Sequence, residues 1–181
     1  MKLDDGVEAQ IEAVLGERWN RPDGVPVGKE INDERAREEY ISYLLGTIEA
    51  RFDGLKIVLD CANGAASHVA PRTYEKAGAT VIAIHHQPDG WNINENCGST
   101  HLEDLQARVI AEKADFGIAH DGDADRCLAV DAHGEIVDGD TIMTILARGF
   151  KVRGALRANT IVTTVMSNLG FIKAMKDAGI E

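Results

Sequence analysis

The sequence lacks a long apolar run, a signal-type N-terminus and paired cysteines. No apolar run reaches the roughly 18 residues of a membrane-spanning helix, and the first residues carry no apolar stretch of the kind a signal peptide requires. The three cysteines, Cys61, Cys97 and Cys127, include no C-x-x-C pair, which is typical of a reducing compartment. We therefore expect a cytoplasmic protein in which Cys61 and Cys127, in or beside apolar runs, are small buried hydrophobic residues.

Positive charge is also scarce. The 181 residues include 30 acidic and 19 basic side chains, and the formal net charge is −11. Such a surface repels nucleic acid and anionic membrane, so we expect neither as a partner. A phosphorylated small molecule is not excluded, because a bound dication or a few local cations set the field inside a cleft. His85, His86 and His120 have no cysteine or histidine partner at zinc spacing, so the sequence assigns them no metal.

The apolar content of 44% is sufficient for a packed core, and the first segments read as helices. Apolar residues recur at helical spacing from Asp5 to Leu15, and residues 16–28 read as a loop. A second helix is predicted to begin at Asn32 or Asp33 as N-cap. Its predicted buried stripe consists of Tyr40, Ile41, Leu44, Leu45 and Ile48.

From Leu55 onward, short apolar runs alternate with amphipathic segments. This pattern predicts an α/β fold with a mostly parallel sheet and helices on both faces. The runs at 127–131 and 135–137 predict a β-hairpin, so the sheet is expected to be mixed. Asp138 is a predicted N-cap of a helix carrying Ile142, Ile145, Leu146 and Phe150. The other predicted strands are 56–60, 80–84, 115–119 and 160–165, and the other helices end near Lys76, Ala111 and Gly179.

The most informative segment is the acidic loop, residues 121–126, with the sequence D-G-D-A-D-R between two apolar strands. In an extended chain, Asp121, Asp123 and Asp125 point to the same side. Three ionised carboxylates that converge repel one another by about 4 kcal/mol per pair at about 4 Å and an effective dielectric constant of about 20. A hard dication offsets that repulsion, and Mg²⁺ suits a site with few protein carboxylates and a phosphate. Arg126 could hold a phosphoryl oxygen.

Other interpretations of the acidic loop remain open at this point. One is a solvated acidic turn without a ligand. Another is an aspartate-based phosphatase or phosphotransferase, in which the first aspartate after a strand is the nucleophile. An EF-hand is excluded, because Arg126 stands where glycine is needed and Ala132 where the last acidic ligand is needed.

Two motifs resemble a known family. The acidic loop, at its distance from the strand segment K-I-V-L-D-C-A-N-G-A, looks like the metal loop of the α-D-phosphohexomutase superfamily. The segment N-I-N-x-x-C-G-S-T-H at 92–101 resembles its phosphoglucosamine mutase branch. The resemblance covers nearly the whole chain. It implies the end of domain 1 at 1–53, domain 2 with the metal loop at 54–156, and the start of domain 3 at 157–181.

The resemblance implies a function for the whole enzyme. In such enzymes a phosphoserine bound to Mg²⁺ exchanges a phosphoryl group with a hexosamine phosphate, converting glucosamine 6-phosphate to glucosamine 1-phosphate for UDP-N-acetylglucosamine synthesis. By position, Asp121, Asp123 and Asp125 are the metal ligands and Arg126 faces the phosphoserine. The chain contains no serine loop, sugar loop or distal phosphate loop of the family. We therefore expect that the remaining mutase domains are needed and that the 181 residues alone have no mutase activity.

Two further classes remain as alternatives: another hexose phosphomutase, acting on mannose or glucose phosphates, and a non-catalytic cation-binding domain. Several smaller features favour structural interpretations. Ser99 or Thr100 is predicted to cap the helix that follows, and the asparagines at 92, 94 and 96 to order the long loop before it. The Asn63-Gly64 turn is expected to serve close helix-strand packing rather than phosphate binding.

Overall fold

The computed structural model describes residues 3–18, 28, 29, 31 and 33–181. The chain divides into two compact units, Met1–Glu34 and Arg35–Glu181. The described helices are α1 (Asp5–Leu15), α2 (Glu34–Gly46), α3 (Ala70–Lys76), α4 (Glu103–Glu112), α5 (Gly139–Val152) and α6 (Leu169–Asp177). The strands are β1 (Lys56–Asp60), β2 (Thr80–Ile84), β3 (Phe116–His120), β4 (Cys127–Asp131) and β5 (Ile136–Val137). Within these residues, no helix is long and apolar enough to cross a membrane.

The first unit contains α1, which begins as predicted. The Asp4 carboxylate accepts a hydrogen bond from the Gly6 backbone N–H and caps the helix. None of the α1 residues is buried. Most of the predicted loop at 16–28 and the alternative N-cap Asn32 lie outside the described residues.

The second unit is built on a five-stranded sheet in the order β2-β1-β3-β4-β5. β1 runs parallel to both β2 and β3, and β4 runs antiparallel to both β3 and β5. The predicted mixed sheet is confirmed: β1, β2 and β3 are its parallel part, and β4 and β5 form the predicted hairpin. Because β1, β2 and β3 are parallel, the residues that follow them meet at one edge of the sheet.

Helices cover both faces of this sheet, as predicted. Alternating side chains divide the core in two, since neighbours along a strand point to opposite faces. On one face Val58 and Val130 pack with Leu105 and Val109 of α4. The opposite core contains Leu59, Cys61 and Ala66, with Ala70, Tyr74, Val81 and Ile118 packed against it.

The helices α5 and α6 share a separate small core that contains Ala147, Phe171 and Met175. Both helices begin at side-chain caps, of which Asp138 was predicted. The Asp138 carboxylate accepts from the Thr141 N–H at 2.8 Å, and the Asn168 side-chain oxygen accepts from the Phe171 N–H at 2.9 Å.

One predicted buried stripe and one predicted strand are wrong in detail. Of the stripe predicted for α2, Ile41 is fully buried, whereas Tyr40 and Ile48 are exposed. The predicted α5 helix is present, and its buried residue is Ala147. Residues 160–165 form no strand, because within the described residues no strand pairs with them and Val162 and Val165 are exposed.

Two local predictions are also wrong. Cys127 is exposed rather than buried, because it opens β4 at the rim of the acidic loop. Ser99 and Thr100 do not cap α4. They lie in a 3-10 turn, Gly98–Thr100, and the N-cap position is occupied by Leu102 with no side-chain hydrogen bond. The predicted burial of Cys61 is confirmed.

Candidate metal centre

The acidic loop leaves the sheet at the end of β3 and returns at the start of β4. Its ends are joined by the Asp121 N–H, which donates to the Arg126 carbonyl at 3.3 Å. Inside the loop the Ala124 N–H donates to the Asp121 carbonyl at 3.1 Å, and Ala124 has a φ of 59°. This left-handed residue turns the chain back, so the loop curls.

The curled loop brings its three aspartates together. One carboxylate oxygen from each of Asp121, Asp123 and Asp125 lies within 4.8 Å of the other two. Asp121 is buried, while Asp123 and Asp125 are exposed. The group therefore has one carboxylate fixed at the edge of the sheet and two that face solvent, where an arriving ligand could meet them.

Arg126 fixes the buried member of this group. Its backbone N–H donates to Asp121 Oδ1 and its Nε donates to Oδ2, each at 3.0 Å. The backbone hydrogen bond is the largest cause that lowers the pKa of Asp121, to about 2, and the guanidinium adds to it. Asp121 is thus held as an anion over the whole physiological pH range.

The pKa of Asp125 is shifted in the opposite direction to that of Asp121. A hydrogen bond shared with Asp121, followed by the charges of Asp123 and Asp121, raises the pKa of Asp125 above its ordinary value of 3.8. Arg126 lies 3.5 Å from Asp125 and offsets only part of this repulsion. The raised pKa is the physical sign of clustered negative charge that lacks sufficient compensation.

The donor set fits a hard divalent cation. All three candidate ligands are carboxylates, two of them open to solvent, which leaves positions for water or a phosphate oxygen. Mg²⁺ is bound in this way, through a small number of carboxylates with the rest of its octahedron supplied by water or substrate. The chain thus offers Asp121, Asp123 and Asp125 as the residues that could hold the ion.

The Asn63-Gly64 turn packs directly beneath the acidic loop. The Ala65 N–H donates to the Gly122 carbonyl at 2.8 Å, and a Cβ on Gly64 would lie 2.1 Å from that same oxygen. A Cβ on Gly122 would in turn lie 2.6 Å from Asn94 Nδ2. Gly64 and Gly122 therefore permit close backbone contact between the turn and the acidic loop. The prediction for this turn was close packing between a helix and a strand.

The loop at 85–97, here called the asparagine-rich loop, flanks the site. The predicted ordering of this loop by asparagine side chains is confirmed for Asn92. The Asn92 amide donates to the Gln87 carbonyl and accepts from the Asp89 N–H, both at 3.0 Å. Asn94 and Asn96 instead adopt left-handed backbone conformations, with φ values of 58° and 50°. Asparagine tolerates this region better than most residues.

The sequence did not predict a second cluster at the same sheet edge. Asp60 ends β1, His85 follows β2, and Cys97 lies in the asparagine-rich loop, and one ligand atom from each lies within 4.8 Å of the others. Zinc spacing along the chain gave no indication of this cluster. The signal was topological, because residues that follow neighbouring parallel strands meet at one edge.

Comparison with known proteins gives two family matches. The model for phosphoglucomutase/phosphomannomutase, alpha/beta/alpha domain II, matches residues 38–134. The model for domain III of the same proteins matches residues 138–181.

Similar curated proteins and solved structures agree with these matches. Phosphoglucosamine mutases from Mycolicibacterium paratuberculosis and Rhodococcus jostii are 57% and 56% identical to the chain over 99% of its length. The chain spans 40% and 41% of those relatives. A solved phosphoglucomutase/phosphomannomutase family protein from Burkholderia thailandensis has a TM-score of 0.69 at 26% identity, covering 80% of this chain and 31% of its own. A solved N-acetylglucosamine-phosphate mutase, at 18% identity and a TM-score of 0.55, shares the fold.

Proposed function

Because the chain belongs to the phosphoglucomutase/phosphomannomutase family, we propose that it supplies the magnesium loop of a phosphoglucosamine mutase. The whole enzyme would interconvert glucosamine 6-phosphate and glucosamine 1-phosphate through a phosphoserine and a bisphosphate intermediate. The domain limits at 53/54 and 156/157 remain part of this proposal. The similarity to phosphoglucosamine mutases at 57% and 56% identity supports the choice of sugar.

In this proposal Asp121, Asp123 and Asp125 hold Mg²⁺. The ion, when bound, neutralises charge on a phosphoryl group. The chain's own contribution is to fix one carboxylate and leave two adjustable. Asp121 is held by two hydrogen bonds from Arg126, whereas Asp123 and Asp125 face solvent and can adjust to the ion. A fixed ligand beside adjustable ones sets the position of the ion without requiring the loop to rearrange.

Arg126 has two functions in this proposal. Its backbone N–H and Nε orient Asp121, and its side chain is exposed at the same edge. The guanidinium nitrogens that do not bind Asp121 could contact a phosphoryl oxygen by charge-assisted hydrogen bonds. The guanidinium thereby supports the reaction as a charge, not as a nucleophile or base.

The reacting serine, the sugar-binding loop and the distal phosphate-binding loop would come from the other domains. The chain spans 40% of the phosphoglucosamine mutase from Mycolicibacterium paratuberculosis, and none of the family's three other site motifs occurs in the 181 residues. We therefore propose that the isolated chain binds Mg²⁺ weakly and has no turnover. The observation that carries the proposal is the convergence of the three carboxylates.

A chimera tests the function. The chain replaces the matching segment of the M. paratuberculosis phosphoglucosamine mutase, to which it is 57% identical over 179 residues. Turnover is then measured with glucosamine, mannose and glucose phosphates. The proposal expects magnesium-dependent turnover with a preference for glucosamine 6-phosphate. A folded chimera that prefers a mannose or glucose phosphate would contradict the sugar assignment.

A matched pair of variants tests the role of the loop in that chimera. Asp123→Asn removes one exposed carboxylate of the acidic loop, and Asp177→Asn removes an exposed carboxylate at the end of α6. Only the first change is expected to raise the magnesium concentration required for turnover. Equal effects of both changes would mean that general charge, rather than the loop, sets the requirement.

A further inference from the structure

A second set of metal-ligating side chains lies at the carboxyl-terminal edge of the parallel strands. Asp60 and Cys97 are fully buried, and the His85 ring is one-quarter exposed between them and solvent. One ligand atom from each of the three lies within 4.8 Å of the others. None of these residues belongs to the acidic loop, so the proposed function does not account for the cluster.

The His85 ring lies between two carboxylates. Its Nδ1 is 3.0 Å from Asp60 Oδ2, and its Nε2 is 3.3 Å from Asp104 Oδ2. A neutral imidazole carries only one N–H, so it can donate to one of these oxygens but not to both. The other nitrogen then faces a carboxylate oxygen with no positive charge between them. A metal ion bound to Nδ1 would leave the single N–H on Nε2, where it can donate to Asp104, so that both ring nitrogens have a partner.

The third member of the cluster adds a sulfur ligand. Cys97 is fully buried, and one ligand atom from it lies within 4.8 Å of those of Asp60 and His85. The Asn63 amide Nδ2 lies 4.0 Å from the sulfur as a donor. A thiol, an imidazole and a carboxylate that share one small volume are the ligand types of a zinc site.

We propose that Asp60, His85 and Cys97 bind a thiophilic divalent metal ion of the zinc class through Oδ2, Nδ1 and Sγ. Asp104 accepts the remaining His85 N–H, which fixes the ring with Nδ1 facing the ion. This arrangement of carboxylate, histidine and metal is the usual second shell of a zinc ligand. The Asn63 amide donates to the sulfur at 4.0 Å.

The distance between the Asp60 and His85 ligand atoms needs only a small adjustment, and the Cys97 sulfur lies within 4.8 Å of both. Tetrahedral bonds of 2.0–2.2 Å to nitrogen and oxygen place two such ligands roughly 3.3 Å apart. Asp60 Oδ2 and His85 Nδ1 are 3.0 Å apart. Asp60 also accepts from the backbone N–H groups of Ala62 and Gly98 at 2.8 and 2.9 Å, and these bonds hold the carboxylate in place while the ion replaces the hydrogen bond to His85.

Protons and charge balance in this site. On binding, the Cys97 thiol releases its proton to solvent, and the single proton of the neutral His85 ring is on Nε2, toward Asp104, which leaves Nδ1 free to bind the ion. One thiolate and one carboxylate then neutralise the dication. The fourth coordination position is left for water, since three protein ligands leave a tetrahedral ion open. Access is through the partly exposed His85 ring, which lines two surface clefts.

Cobalt substitution gives a direct readout. Co²⁺ is added to the 181-residue chain, and the near-ultraviolet absorption is followed for the thiolate-to-cobalt charge-transfer band. The proposal expects this band in the native chain and in Cys127→Ser, which removes the exposed thiol at the start of β4. The band is expected to disappear in Cys97→Ser. A band that survives in Cys97→Ser, or no band in the native chain, overturns the proposal.

A second measurement does not depend on how the cysteine variant folds. X-ray absorption of the native chain loaded with one equivalent of Zn²⁺ is expected to show one sulfur and a mixture of nitrogen and oxygen ligands. A shell of oxygen alone would place the zinc in the acidic loop and refute the site. In zinc competition titrations, Asp104→Asn is expected to weaken binding by about 10-fold. The control Asp177→Asn, at the exposed end of α6, is expected to leave zinc binding at this cluster unchanged.

Discussion

Arg126 binds both carboxylate oxygens of Asp121, using its own backbone N–H for one and its guanidinium Nε for the other, each at 3.0 Å. The loop thus closes on itself through one residue pair. Asp121 gains a fixed orientation, and Arg126 is held where it meets Asp125 as well. The same guanidinium that orders the site also reduces its negative charge, and the two effects can be separated experimentally.

The first prediction concerns Arg126→Gln. The variant keeps the backbone hydrogen bond to Asp121 but loses a positive charge next to the proposed ion. Mg²⁺ binding by the chain, measured by calorimetry, is expected to tighten about two- to fivefold at low salt. In the chimera, turnover is expected to fall, because the phosphoryl contact is lost. Arg153→Gln, which removes a cation at the end of α5, is the control. Weaker Mg²⁺ binding by the Arg126 variant would contradict the account.

The second prediction is a pH dependence. The pKa of Asp125 is raised above 3.8 by Asp121 and Asp123, so the folded chain keeps that proton after the unfolded chain has released it. This proton stabilises the fold below pH 3.8 and ceases to do so as the pH rises through the raised pKa. Mg²⁺ must displace the same proton.

We therefore expect Mg²⁺ affinity to be constant near pH 7 and to weaken as the pH falls toward the raised pKa of Asp125. Calorimetry in a series of buffers measures this. Asp125→Asn should bind more weakly at pH 7 and lose most of that pH dependence, whereas Asp177→Asn should retain it. If Asp125→Asn retains the native profile, another group competes with the ion.

The third prediction concerns the contact beneath the acidic loop. Gly64→Ala would place a Cβ 2.1 Å from the Gly122 carbonyl oxygen, which is backbone and cannot rotate away. The free energy of unfolding is expected to fall by about 1–3 kcal/mol, as for other overpacked sites, and Mg²⁺ binding should weaken as the loop shifts. Gly139→Ala meets no atom within 4 Å and should change neither quantity appreciably. Urea denaturation and calorimetry supply both readouts.

The fourth prediction tests the core under α4. Leu105 is fully buried, and a Cβ on Gly117 would lie 2.7 Å from its Cδ1, so the leucine rests directly on the sheet backbone. Leu105→Ala is expected to lower the free energy of unfolding by about 2–5 kcal/mol. Ile110→Ala, at an exposed position of the same helix, is expected to cost about 1 kcal/mol or less. Similar losses at both positions would mean that α4 does not use this face for packing.

Much of the fold followed from local patterns. The short apolar runs that became β1 and β2 were predicted at their observed limits, because each is a compact apolar run bounded by turn residues. Residues 160–165 carry an equally apolar pattern, but a strand needs a neighbour to accept its hydrogen bonds and the described residues offer none. The α5 helix was predicted from its helical spacing, but that spacing does not show which side becomes buried, because Ala147 is buried by packing with α6.

The two candidate sites also differ in how far the local sequence could predict them. The acidic loop was predictable because Asp121, Asp123 and Asp125 are close in sequence and alternate in an extended chain. The cluster of Asp60, His85 and Cys97 was not, because its members come from three separate segments. Only the strand order brings them together, and the strand order does not follow from spacing.

The central claim is that the three clustered aspartates bind Mg²⁺, and calorimetry on the 181-residue chain tests it most directly. Titration with MgCl₂ at pH 7 and low salt is expected to show one weak site in the native chain and none in a folded variant with Asp121, Asp123 and Asp125 all changed to asparagine. Absence of magnesium uptake by the folded native chain, or equal uptake by the triple variant, would contradict the account.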